Sequence, residues 1–170
     1  FGKNSKNHPL VLTIGHLYKA LGEHEQALYY WLKTMDYDMN RIEGVILACI
    51  YYQEKNMHNM VVILYEAFKG YKDRLGEPSE KLFLDLSKYS NNLELLVSIS
   101  AAYSIKPQLG YAISRDIVLD ENINILHRAL TLNNMIFYLK YFTPEKSLLL
   151  FMTLKKLFKH IDISSQAKIV

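Results

Sequence analysis

The chain is poor in the residues that punctuate or staple a fold: among 170 residues there are one cysteine, four prolines and seven glycines. A lone cysteine, Cys49, excludes an intramolecular disulfide and a cysteine-based metal site. It suits a reducing, cytoplasmic setting, although a disulfide-free chain is not confined to one. So few turn formers cannot serve a sandwich of short strands, and helices are favoured from the outset. Charge of one sign is scarce too. The net charge is +3 and the pI about 8.8, short of the clustered excess that marks a nucleic-acid surface. No apolar run approaches the roughly 20 residues of a membrane-spanning helix. The opening stretch after Phe1, GKNSKNH, lacks the apolar core of a signal peptide, and no methionine precedes it. The chain therefore reads as a piece of a larger protein.

Catalytic and metal signatures are incomplete where they begin. His24-Glu25-Gln26-Ala27 opens like a zinc-protease helix, but Leu28 stands where the second histidine belongs. Asp36, Asp38 and Asn40 mimic the start of a calcium loop. Arg41 then replaces the turn glycine, and Leu47 the bidentate glutamate. The six histidines show no metal-ligand spacing, and there is neither a glycine-rich phosphate loop nor a nucleophile elbow. These absences predict no catalytic residue, no metal and no cofactor, and a chain that is not an enzyme in its own right.

Half of the residues are hydrophobic, with Leu, Ile and Tyr prominent. Shifted by 34 residues, the front of the chain lies over itself: Gly15 on Cys49, Tyr18 on Tyr52, Gly22 on Asn56, His24 on His58, Ala27 on Val61 and Trp31 on Tyr65. Helix signals follow the same period. Asn7 can cap a first helix with Pro9 in its first turn, and Val11, Ile14, Tyr18 and Leu21 recur at helical spacing up to Gly22. A second helix is predicted from His24 to Met35, with Ala27, Leu28, Trp31 and Met35 on one stripe. Asn40 and Glu43 have capping-box spacing for a third, which carries Val45, Ala48, Cys49 and Tyr52. A fourth is predicted from Met57 to Lys69. His24 and His58, at equivalent places, read as packing residues.

These residues resemble the tetratricopeptide repeats. Gly15, Tyr18, Gly22, Ala27 and Trp31 stand where that family prefers small, aromatic, glycine, alanine and aromatic residues; the second unit departs at Asn56 and Val61. The resemblance implies an all-α fold of antiparallel helix hairpins wound into a right-handed superhelix, with two repeats over residues 8–70. Behind them, residues 76–161 read as degenerate helix pairs or a cap, and residues 1–170 together as a single helical-repeat domain. In this rear part a segment runs from Pro78 to Tyr89, and Asn91 or Asn92 caps a helix to Ser104. Pro107 resets the chain, and Asp120 can cap a helix with Ile123, Ile125, Leu126 and Leu130. A short apolar segment, Met135 to Phe142, precedes a helix opened by Thr143-Pro144-Glu145. That last helix carries an apolar stripe through Leu150, Leu154, Leu157 and Ile161, with Lys155, Lys156 and Lys159 on its other side.

In such an array the first helix of each pair lines a concave face. The resemblance then places Leu12, His16, Lys19, Ile46, Ile50 and Gln53 in a groove suited to an apolar or amphipathic partner segment. The lysine and asparagine with which some family members clamp acidic chaperone tails are replaced by Leu12 and His16. The expected function is binding of another protein or peptide, with no nucleic acid involved. An alternative is a non-catalytic helical scaffold or oligomerisation region of a larger enzyme such as a glycosyltransferase. Membrane contact through 144–161 is a third reading, set against a solvated terminal cap. A further helix of the same chain could also fill the groove.

Overall fold

A computed structural model describes residues 7–74, 84–85, 89, 91–141, 143–145, 148 and 152. Most of these residues are helical, and there is no strand among them. Helices α1 (His8–Ala20), α2 (His24–Lys33), α3 (Glu43–Glu54) and α4 (His58–Phe68) follow one another, then a single turn, α5 (Tyr71–Arg74). Behind them come α6 (Asn92–Ser100), α7 (Pro107–Leu119) and α8 (Ile125–Asn134), with 3₁₀ turns at Thr34–Asp36, Ala101–Tyr103 and Met135–Tyr141. Most of the expected Pro78–Tyr89 segment and of the helix expected from Thr143 lies outside the described residues.

The two front hairpins turn by the same bonds. Leu21 N donates to Leu17 O, Gly22 N to Lys19 O and Glu23 N to Tyr18 O; thirty-four residues on, Lys55 N donates to Tyr51 O, Asn56 N to Gln53 O and Met57 N to Tyr52 O. This closure needs a left-handed residue after the helix. Gly22 supplies it at φ 81° and Asn56 at φ 57°. Asparagine is one of the few side-chain-bearing residues that tolerates that region, so the loss of glycine at the second turn leaves its geometry intact.

Small residues admit α2 between its neighbours. A Cβ on Gly15 would lie 2.6 Å from Trp31 Nε1, and one on Gly44 would land on the Thr34 hydroxyl and the Trp31 carbonyl. Trp31 is thus buried against the backbone of α1, while its own backbone meets that of α3. Thr34 Oγ1 donates to Trp31 O at 2.6 Å and keeps that carbonyl satisfied beyond the helix end.

Packing proceeds along the chain, α2 on α3, α3 on α4, α4 on α6, α6 on α7 and α7 on α8, with α6 also reaching back to α3. The main core joins Val45, Cys49, Tyr52, Val61 and Phe68 to Leu93, Val97, Ile113 and Ile117. Each such fully buried side chain contributes on the order of 1.5–3 kcal/mol. A smaller cluster of Tyr111, Val118, Met135 and Tyr138 closes the rear. There Gly110 lets the Tyr138 phenol pass over α7, and that hydroxyl donates to Ser98 O at 2.6 Å.

Several helix starts differ from the sequence expectation. Asn7 precedes α1, but its side chain makes no capping bond. Asn40 does not cap α3: the helix begins after Ile42, and Glu43 turns inward to Arg41 and Tyr89. Asp120 does not start α8 either. Its carboxylate takes the Asn122 N–H, and the cap is Asn124, which accepts from Leu126 N at 2.8 Å. The helix expected to run to Ser104 ends at Ser100 and tightens into the 3₁₀ turn.

Gly15→Ala should lower stability by about 1–3 kcal/mol, because the added methyl must displace the Trp31 ring. Urea unfolding followed by circular dichroism reads the loss, and an unchanged midpoint would overturn the nested-helix account.

Candidate functional site

The six expected groove residues separate into two sets. On α1, His16 and Lys19 are exposed and Leu12 is half-buried. The three share one side of the helix, near the rim of Trp31: the His16 ring lies 6.2 Å from the indole and the Lys19 ammonium 5.9 Å from its centroid. On α3 the outcome is different. Ile46 is 2% exposed and belongs to the core, Ile50 packs against that core, and Gln53 Nε2 donates to Ser100 Oγ at 3.1 Å. Helix α6 therefore covers the α3 half of the expected groove. Ile46, Ile50 and Gln53 hold two helices together and do not line an open cleft.

A different surface stands open where successive turns meet. The His58 ring, at the start of α4, packs 5.0 Å from the Tyr103 ring, and Tyr103 packs 5.6 Å from Phe137. Tyr103 and Phe137 are each more than half exposed, and Met57 and Ile105 beside them are exposed as well. The segment that follows Tyr103 is tied to α4. Ile105 N donates to Asn59 Oδ1 at 3.0 Å, and Lys106 pairs with Glu66 at 2.6 Å below it. Sequence reasoning missed this ladder because Tyr103 and Phe137 lie on 3₁₀ turns, whose side-chain directions do not follow helical spacing. His58 does pack on an aromatic ring as expected. Its equivalent His24 does not: it is exposed at the rim of an open cleft of about 420 Å³.

That cleft lies between the first turn and the end of α3, lined by Gly22, Glu23, His24, Glu25, Tyr51 and Lys55 among others. Its carboxylates and lysine offer no single charge to a ligand. A smaller one, about 160 Å³, has Ile113, Ile117 and Ile123 beside Glu94, Asp116 and Asp120. Burial, then the nearby Glu94 and Asp116 carboxylates, raise the Tyr65 phenol there, so it stays protonated. Among the described residues no group of three or more His, Cys, Asp and Glu side chains is placed to hold a metal, and no helix is long and apolar enough to cross a membrane.

The strongest buried polar arrangement is structural in form. Arg41 Nη2 donates to Glu43 Oε1 at 2.6 Å with both side chains almost wholly buried, and Tyr89 Oη donates to Glu43 Oε2 at 2.7 Å. The same phenol oxygen accepts from Ile42 N at 3.1 Å. Burial opposes the Glu43 charge, but the hydrogen bonds from Arg41 and Tyr89 outweigh it and hold the carboxyl below its ordinary value of 4.5. Cys49 is buried between helices, and desolvation pushes its thiol up to about 12. It is a packing group, not a nucleophile.

Comparison with family models, with curated proteins and with solved structures finds no match for this chain. The site rests on its own geometry.

Two measurements probe these buried groups. A depressed folded-state pKa means that Glu43 stabilises above its ordinary value of 4.5 and that this contribution is lost as pH falls through the lower folded value. Glu43→Gln should therefore cost about 3–5 kcal/mol at neutral pH, by leaving Arg41 buried opposite a neutral group. The gap to wild type should narrow in acid, and a gap independent of pH would contradict the buried pair. Iodoacetamide at pH 8 should leave Cys49 unmodified in the native protein and alkylate it in denaturant; equal rates in both would place the thiol at the surface.

Proposed function

We propose that the chain is a protein-interaction module, a tetratricopeptide-like array of helix hairpins that binds a partner polypeptide and carries out no chemistry of its own. The observation that carries this reading is the exposed ring ladder His58–Tyr103–Phe137, flanked by Met57 and Ile105. Contiguous apolar side chains held open to water on a rigid frame mark contact surfaces. Aromatic anchors of this kind supply most of the affinity where they are used. Helices joined by turns with the same hydrogen bonds, 34 residues apart, supply the frame.

The concave-face version of this reading is narrowed by α6. With Ile46, Ile50 and Gln53 covered, the inner-face contacts left to a partner are those of α1. There Leu12 offers apolar surface, and His16 and Lys19 offer polar groups that set orientation. The turn edge, with two rings half exposed, has the larger apolar surface to bury, so the principal contact belongs there. A partner segment with apolar side chains spaced to meet Tyr103 and Phe137 fits it best.

A benzophenone side chain at position 103 should cross-link one discrete polypeptide, and that partner, once purified, should bind Phe137→Ala at least about tenfold more weakly. Full affinity for both Phe137→Ala and Tyr103→Ala, in proteins of unchanged helicity, would remove the turn edge as the contact.

A further inference from the structure

The two front turns have the same backbone but differ in what lies against them. Glu23 and Met57, the residues before α2 and α4, take nearly equal angles, φ −85°, ψ 69° and φ −88°, ψ 55°. His24 and Glu25 thus open α2 as His58 and Asn59 open α4, 34 residues on. At the second turn this pair holds a piece of chain. The His58 and Tyr103 rings lie 5.0 Å apart, and Asn59 Oδ1 accepts the Ile105 N–H at 3.0 Å. Ser104 between them is extended, at φ −108°, ψ 179°. At the first turn His24 and Glu25 are exposed and line the cleft of about 420 Å³, whose other wall is Tyr51 and Lys55. That volume lies within the roughly 300–1,000 Å³ of ligand pockets.

We infer that this cleft binds an extended segment of a partner polypeptide, as the second turn holds residues 103–105. An aromatic side chain packs on His24, and the N–H two residues later donates to the Glu25 carboxylate. The chain's own segment selects that ligand, because it shows which groups a histidine and an oxygen acceptor at these two positions take up. Glu25 in place of Asn59 keeps the acceptor and gives it charge, which strengthens its bond to a backbone N–H. Glu23 in place of Met57 sets two carboxylates against the one ammonium of Lys55, so the cleft favours hydrogen-bond donors. Tyr51 adds a ring to the wall facing His24. At the second turn the Ile105 side chain is 78% exposed, so the third residue is recognised by its N–H alone. Proline lacks that N–H and is excluded there.

The probe is the end-capped peptide Ala-Ala-Tyr-Ser-Ile-Lys, the sequence of residues 101–106, titrated into the isotope-labelled 170-residue chain. Amide resonances of His24, Glu25 and Lys55 should shift and saturate with a Kd of about 0.1–1 mM. Replacing the peptide's tyrosine by alanine, or its isoleucine by proline, should weaken binding at least about tenfold. Glu25→Ala should weaken it at least about fivefold, and Glu25→Gln, which keeps the oxygen, should fall between that variant and wild type. Both changes are at an exposed position, so circular dichroism should not move. No saturable shift at His24 and Glu25 up to about 5 mM, or equal affinity for the proline peptide, overturns the inference. So do shifts confined to His58 and Asn59, where the peptide would only displace the chain's own segment. Tyr103→Ala in the chain removes the turn-edge contact and leaves every residue of the cleft in place, so the two readings fail separately.

Discussion

The fold depends on how closely α2 can approach its two neighbours. Gly15 and Gly44 face it from α1 and α3, and at both a single methyl group would strike Trp31 or the backbone next to it. A helix surface studded with larger side chains would hold the axes farther apart and leave the indole without close partners, forfeiting much of its dispersion energy. With the glycines in place, one bulky residue closes the space between α1 and α2, and its carbonyl, bonded by Thr34, sits against α3. The approach of three helices is thereby set by four residues, Gly15, Trp31, Thr34 and Gly44. Later helices add to that frame.

The same arrangement explains what the sequence disclosed. The 34-residue offset paired Gly22 with Asn56 as an imperfect match, yet both residues take the left-handed conformation and close the same bonds. The all-helical class and the boundaries of the front helices followed from such local signals, because hairpin geometry is local. Asn40 and Asp120 misled as caps: Asn40 belongs to a turn in which its own N–H donates to Asp38, two residues before Ile42 opens α3, and the Asp120 carboxylate takes the N–H of Asn122. Short polar side chains prefer the closest backbone donor, and spacing alone cannot rank two donors.

Binding surfaces were harder to read, for a reason of topology. Ile46 and Ile50 look identical in sequence whether they line an open groove or meet a helix some 45 residues later. Only the place where α6 packs decides that, and it lies on α3 and α4. The aromatic ladder poses the opposite problem. Its rings come from three separate elements, so no window of sequence contains the pattern.

The Tyr89 phenol sits at a junction that has a temporal side. It takes the Ile42 amide and gives its own proton to Glu43, so the start of α3 is completed by a residue 47 positions downstream of the amide it holds. During synthesis, the first two hairpins emerge while the buried Arg41–Glu43 pair still lacks its third member. The pair gains that member only once residue 89 has been added, so the closing of this buried site is a late event relative to the making of the two hairpins it serves.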